Sequence, residues 1–324
     1  MILSIFGDES SDQKQERIFA VSGVSGSSIE WEKAIAGWIR LTKGEEFHAA
    51  DWEMAGRYKE SKALAEYLGD CGLVAGFSVA LDLVSFREVF PNHLKDSGYY
   101  MCFSKVIETH TRSTIQWNDR VASDPSFGEP LIELEFTFDH RKASEGNAGT
   151  LYSAFINEPE WKDANILSGK ISFDCRTNPR IQIADLVARE AMKELDRKIC
   201  ASERGKRESF IALEGREAFR FIELKKDFCE KLRALVESSG EEPPYWEWLR
   251  RTGRVQHGKP HDNYGNRFNY QIYVQSQEAL EKRGKKQGIS EVRSDNEYDP
   301  PSRPKSGKSC DGSGEEGQRS KAEG

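Results

Sequence analysis

The stretch KISFDCRTNPRIQIADLVAREAMKELDRKI, residues 170–199, changes its period in the middle. KISFDCR is short and β-prone, and it carries an acid at Asp174. From Pro179 onward the pattern is helical: Ala184, Val187, Ala188, Ala191 and Leu195 form an apolar stripe. Asn178 is placed to cap that helix, and proline suits its first position. A strand feeding directly into an amphipathic helix is the building unit of an α/β chain.

The rest of the first 200 residues extends that reading. Ile2 to Phe6 is a short apolar strand, and ERIFAVSGVSG (16–26) reads as its hairpin partner after a polar turn. In SSIEWEKAIAGWIRLT (27–42), Ile29, Ala34, Ile35, Trp38 and Ile39 fall near one helical face behind a serine cap. A second helix is expected over 60–71, a third strand in GLVAGFSVALDLVSF (72–86), and a helix in YYMCFSKVIETHTRST (99–114), where Cys102, Val106 and Ile107 have helical spacing. LIELEFTFDHR (131–141) alternates strictly, with Ile132, Leu134, Phe136 and Phe138 on one side and Glu133, Glu135, Thr137 and Asp139 on the other. This order gives an α/β fold with a mixed sheet and an antiparallel start, flanked by helices.

The chain has 324 residues with 47 basic and 54 acidic side chains, a formal net charge of -7. That balance argues against binding nucleic acid through a global positive surplus, although a local basic groove remains compatible with it. No apolar run reaches the length of a membrane span, and the first residues lack a secretory pattern, so the expected location is cytoplasmic. The six cysteines, at 71, 102, 175, 200, 229 and 310, form no C-x-x-C pair and read as reduced thiols. The expected organisation is a core domain over 1–201, an accessory helical and irregular region over 202–276, and a disordered tail over 277–324, where the composition collapses to Gly, Ser, Lys, Glu, Asp and Pro.

Three carboxylates stand at related places. Asp8 follows the first strand, Asp139 follows LIELEFTF, and Asp185 lies in the first two turns of the helix after Asn178. If the two strands are parallel neighbours, both aspartates sit at carboxyl ends, the edge where open α/β sheets place their sites. Gln182, Asp185 and Arg189 share one helical face. Such a cluster needs a cation, and magnesium or manganese takes oxygen ligands. Two such ions can clamp both oxygens of a phosphodiester displacement. Glu9 should point away from Asp8 if the strand stays regular, and Asp174 could approach. The competing reading is ordinary turn and helix-border chemistry.

Other positions carry weaker expectations. His48 in FHAAD (47–51) could act as a general base or phosphate contact, or be structural. His140 should face away from Asp139. Arg141, Lys142, Arg176 and Arg180 lie just past the acidic edge, where they could hold backbone phosphates or form a solvated rim. His257, His261 and Asp262 have loop-like spacing that fits a metal poorly, and the tryptophans of YWEWLRR (245–251) suit helix packing better than base stacking. No phosphate-loop, G-x-S-x-G or H-E-x-x-H pattern occurs.

DESSD (8–12), FHAAD (47–51), FTFDHR (136–141) and IQIADLVARE (181–190) together resemble the domain-of-unknown-function 3800 family, over roughly residues 1–200. The resemblance implies a ribonuclease H-like fold and a suspected metal-dependent nuclease. It places Asp8, Glu9, Asp139 and Asp185 as ligands of Mg2+ or Mn2+, with Gln182 orienting a ligand or substrate. If the analogy with ribonuclease H holds, hydrolysis would leave a 5′-phosphate and a 3′-hydroxyl. Ser11 departs from the family pattern, which has glycine there, and a turn needing positive φ would disfavour it. The alternatives are a non-catalytic module binding nucleic acid or a protein partner, in a phage-defence or mobile-element setting, and a hydrolase of small phosphate compounds.

Overall fold

A computed structural model describes residues 1–12, 14–90, 97–140, 145–157, 164–200 and 204–239. The segments 245–251, 257–270 and 277–324, Arg141 and Lys142 lie outside the described residues. The six strands are β1 (Ile2–Ser11), β2 (Ile18–Gly26), β3 (Ala75–Asp82), β4 (Glu133–Asp139), β5 (Ser172–Asp174) and β6 (Phe219–Leu224). They form one sheet in the order β5-β4-β1-β2-β3-β6. β1, β2 and β3 pair antiparallel; β4 runs parallel to β1, β5 parallel to β4, and β6 parallel to β3. The mixed sheet with an antiparallel start is therefore present. Residues 208–224, in the stretch expected as accessory, contribute a helix and the edge strand β6 to this sheet.

The helices are α1 (Ser28–Thr42), α2 (Ala49–Met54), α3 (Tyr58–Asp70), α4 (Leu83–Val89), α5 (Ser97–Ser123), α6 (Glu145–Asn157), α7 (Pro179–Ile199), α8 (Glu208–Glu214) and α9 (Lys226–Ser239). On one face of the sheet, Leu3, Ile5, Val21, Val79, Leu134, Phe136 and Phe138 pack against Phe103, Val106 and Ile107 of α5 and Leu151 and Tyr152 of α6. On the other face α7 lies across β1, β2 and β3, and α1, α2, α3 and α8 close over it. Helix α7 is thus covered from both sides, and Ile181 through Ala188 are all buried. No helix among the described residues is long and apolar enough to cross a membrane.

Two details depart from the sequence expectation. Residues 27–42 do begin with a capping box: Ser27 Oγ accepts from the Glu30 N–H, and the Ser27 N–H donates to Glu30. The buried face, however, is Trp31, Ala34, Gly37, Trp38 and Thr42, while Ile29 and Ile39 are exposed. The large indoles take the inner face because each also places its N–H: Trp31 donates to the Ser4 carbonyl at 2.9 Å and Trp38 to Gln182 Oε1 at 3.0 Å. The second departure is at the end of β1. The strand does not stop at Asp8 but continues to Ser11, paired with β2 throughout. It is the pairing with β4 that ends, at Gly7–Phe138. Ser11 is extended strand, and the positive φ in this connection falls at Gln15, so serine costs nothing at position 11. Asp12 closes the turn by accepting the N–H groups of Glu16, Arg17 and Ile18.

Gly7 is where β1, β2 and β4 come closest. A Cβ there would lie 2.4 Å from the Phe138 ring and 2.7 Å from the Ser22 carbonyl oxygen. Phe138 is held in the core and the carbonyl is fixed in the sheet, so neither can retreat. Gly7→Ala should destabilise the protein by about 1–3 kcal/mol, read as a lower urea midpoint with unchanged m-value. A midpoint equal to wild type would show that the ring can shift.

Candidate functional site

The sheet register brings the predicted carboxylates together. Ser4 pairs with Glu135 and Phe6 with Thr137, so Asp8 follows on the same face as Asp139. β5 adds a third acid to the row, since Asp139 is level with Asp174. On β2, Ser22 stands opposite Asp8, and its hydroxyl donates to the Ala184 carbonyl of α7 at 2.7 Å. That hydrogen bond fixes Asp185 next to Asp8. Beyond α7 the same face of β4 carries Glu133, Glu135, Thr137 and Asp139, all at least partly exposed, so the acidic edge opens to solvent on that side.

Asp8 and Asp185 are only 8% and 5% exposed. Burial raises the Asp8 carboxyl well above its usual range, and the charges of Asp185, Glu9 and Asp139 add to the rise. Burial also raises Asp185, to about 6, against the N–H of Ala49, which donates to its Oδ2 at 2.7 Å. Asp139 is raised by burial as well, offset by the His140 N–H and by the charges of His140, Arg176 and His48. The three aspartates thus feel one another across the site. None is paired with a cation among the described residues.

The other predicted residues divide. Glu9 lies on the opposite face of β1, level with Val21 of the α5-side core, because the strand stays regular. As a ligand alongside Asp8 it is misplaced. Gln182 is buried, and both ends of its amide are engaged: Oε1 accepts from Trp38 and Nε2 donates to the Arg176 carbonyl at 3.0 Å. It ties α1 to the β5–α7 loop, which makes it a positioning residue. Asp174 is likewise occupied, accepting from the Cys175 N–H and the Asn178 side chain. Asn178 caps α7 as expected, accepting from the Arg180 N–H. Arg180 does not project from the rim; its guanidinium lies 5.1 Å from the Phe6 ring and 6.0 Å from that of Trp31. Arg176 pairs with Glu46 at 2.8 Å.

His48 sits at the start of α2, and the motif around it has a clear structural logic. Phe47 is buried between Trp38 and Trp52, with ring centroids 5.2 and 4.8 Å away. That anchor sets the next residue against α7. His48 Nδ1 approaches Asp51 Oδ2 to 2.9 Å, but out of line for a hydrogen bond. At the far end of α2, Glu53 pairs with Arg189 and Lys193 of α7, both within 2.8 Å. Asp185, Arg189 and Lys193 therefore all face α2. Sequence spacing does not reveal this, because α2 is too short to show a period.

The donor chemistry of Asp8, Asp139 and Asp185 suits a hard divalent cation: carboxylates, two of them buried, that repel one another and form no ion pair among the described residues. Among the described residues no group of three or more His, Cys, Asp or Glu side chains is arranged to hold a metal ion. The chain matches no protein-family model, and no curated protein matches it.

Raised carboxyl pKa values have a definite sign in stability. The folded protein holds the Asp185 proton up to about pH 6, whereas the ordinary value is 3.8. Between those values the folded state binds more protons, so stability falls as pH rises through that window. Asp185→Asn keeps an acceptor for Ala49 and removes the charge. It should stabilise the protein at pH 7.5 by on the order of 2 kcal/mol and have little effect at pH 4, measured by chemical denaturation at both pH values. Equal effects at the two pH values would contradict the assignment.

Proposed function

We propose that the protein is a metal-dependent nuclease with a ribonuclease H-like core, in which Asp8, Asp139 and Asp185 hold Mg2+ or Mn2+. The observation that carries this reading is the meeting, at one sheet edge, of three aspartates, two of them buried, that form no ion pair among the described residues. Buried carboxylates without a counter-charge cost stability, and such strained electrostatics cluster at functional sites. The sheet supports the fold assignment through its antiparallel start and through parallel β1 and β4 delivering their acids side by side. Bound there, a divalent ion would supply Lewis acidity toward a phosphodiester.

The chain's own residues prepare that site. The Ala49 N–H orients Asp185 through Oδ2, so that Oδ1 is not used by this bond. Ser22 locks the helix to β2, at the position paired with Asp8 of β1. Gln182 fixes the loop bearing Arg176, whose charge reaches Asp139. His48 lies within electrostatic reach of Asp139 and Asp185 and could accept a proton at the rim. The open, partly exposed face of β4 gives an extended substrate access to the acids.

A second reading is a non-catalytic module of the same fold that binds nucleic acid or a protein partner, the latter favoured by the net charge of -7. Calorimetry with manganese separates the two. Wild type should bind at micromolar concentration, and Asp8→Asn and Asp185→Asn should abolish binding while remaining folded. Asp139→Asn should also lose at least a hundredfold in cleavage of labelled DNA or RNA oligonucleotides, and a chelator should silence the wild type. A folded wild type that neither binds manganese nor cleaves would leave the binding module as the better account.

A further inference from the structure

Helix α7 carries a second polar surface, two turns beyond Asp185. A cleft of about 190 Å³ opens there between α7, the α2–α3 corner and α8. Four cationic side chains line it, Lys193, Arg197, Arg204 and Arg207, against two carboxylates, Glu53 and Glu194. Two aromatic rings, Tyr58 and Phe210, complete the wall. From these observations we infer that the cleft is a subsite for the phosphate backbone of a nucleic-acid single strand, with the exposed Tyr58 offering a face to one of its bases.

The carboxylates hold the cations in place. Glu53 is shared by Lys193 at 2.7 Å, Arg189 at 2.8 Å and Arg207 at 3.4 Å. Arg207 also spans the fully buried Glu190. Arg197 gives Nε and Nη2 to Glu194, both at 2.8 Å, and lines the cleft. Arg204 reaches Asp196 at 3.1 Å and is 57% exposed. The result is five cations held in fixed positions against four carboxylates (Glu53, Glu190, Glu194 and Asp196), whose remaining N–H groups suit phosphate oxygens. Tyr58 is 56% exposed beside these cations, as a stacking platform for an unpaired base must be.

The cleft also has the right relation to the acidic edge. Asp185, Arg189 and Lys193 follow one another along the face of α7 that meets α2. Eight residues of helix separate Asp185 from Lys193, about 12 Å of rise. A strand lying along α7 would cover that distance in a few nucleotides, at about 3.4 Å each. This inference takes its ligand from the nuclease reading, but its own contacts are independent of the aspartates.

The test uses fluorescence anisotropy of 5′-labelled single-stranded DNA and RNA 12-mers, in EDTA so that cleavage cannot occur. Wild type is compared with Arg197→Gln/Arg204→Glu over a range of salt. Circular dichroism of the variant checks folding, and the single variant Arg204→Glu, at an exposed position, guards against a misfolded double. The expected result is at least tenfold weaker binding and a log–log salt slope smaller by about 1–2. Binding unchanged in a folded variant, or no binding by the wild type, overturns the inference. Manganese calorimetry on the same variant keeps the two ideas apart. Strand binding lost with metal binding intact supports the cleft. Strand binding by a wild type that takes no metal leaves the cleft standing and removes the nuclease reading.

Discussion

The structure depends on the burial of α7 between two layers. Its first two turns are covered by β1, β2 and β3 on one side and by α1, α2 and α8 on the other. A helix in that position should be apolar all round, yet it carries Gln182, Asp185, Glu190 and Glu194, all buried. Each must therefore find a partner within reach. Gln182 has Trp38 and the Arg176 carbonyl, Glu190 has Arg207, and Glu194 has Arg197. Asp185 accepts the Ala49 N–H and, among the described residues, forms no ion pair. It is the acid of this helix that lies beside Asp8.

Around that exception the packing is arranged to hold position. Ser22 joins the middle of the sheet to the helix backbone, Trp38 joins α1 to Gln182, and Phe47 wedges between two indoles so that α2 begins beside Asp185. Glu53 then fastens the far end of α2 to Arg189 and Lys193. The short helix is clamped at both ends by α7, through a backbone hydrogen bond at one and ion pairs at the other. Half-buried, multiply shared ion pairs of this kind hold geometry more than they add stability. The same cations that hold Glu53 border the cleft, so the acidic edge and the basic cleft are two parts of one helix surface.

Much of this was legible in the sequence, and the reason is periodicity. Alternation in LIELEFTFD put Asp139 on the face opposite Phe138, and the helical stripe after Pro179 put Asp185 near the sheet. Both faces are as read. What misled was anything decided by a partner far along the chain. Ile29 and Ile39 have helical spacing, but the inner face went to Trp31 and Trp38, whose N–H groups had acceptors in β1 and α7. Arg180 follows the acidic edge in sequence, yet stacks on Phe6 and Trp31. β6 comes after a polar stretch and shows its role only by pairing with β3.

The sequence by itself determined the elements and which side chains share a face, because period, caps and turn residues act over a few positions. It determined that Asp8, Asp139 and Asp185 would lie near strand or helix ends. Only the tertiary structure decided that β1 and β4 are parallel neighbours in a register that levels Asp8 with Asp139. It also decided that β1 continues past Asp8 while β4 stops, that Glu9 is turned away, and that Gln182 is consumed by packing. Register and burial depend on contacts between residues more than a hundred positions apart, such as Gly7 with Phe138 and Ser22 with Ala184. No local pattern encodes those pairs; the close approach of their backbones does.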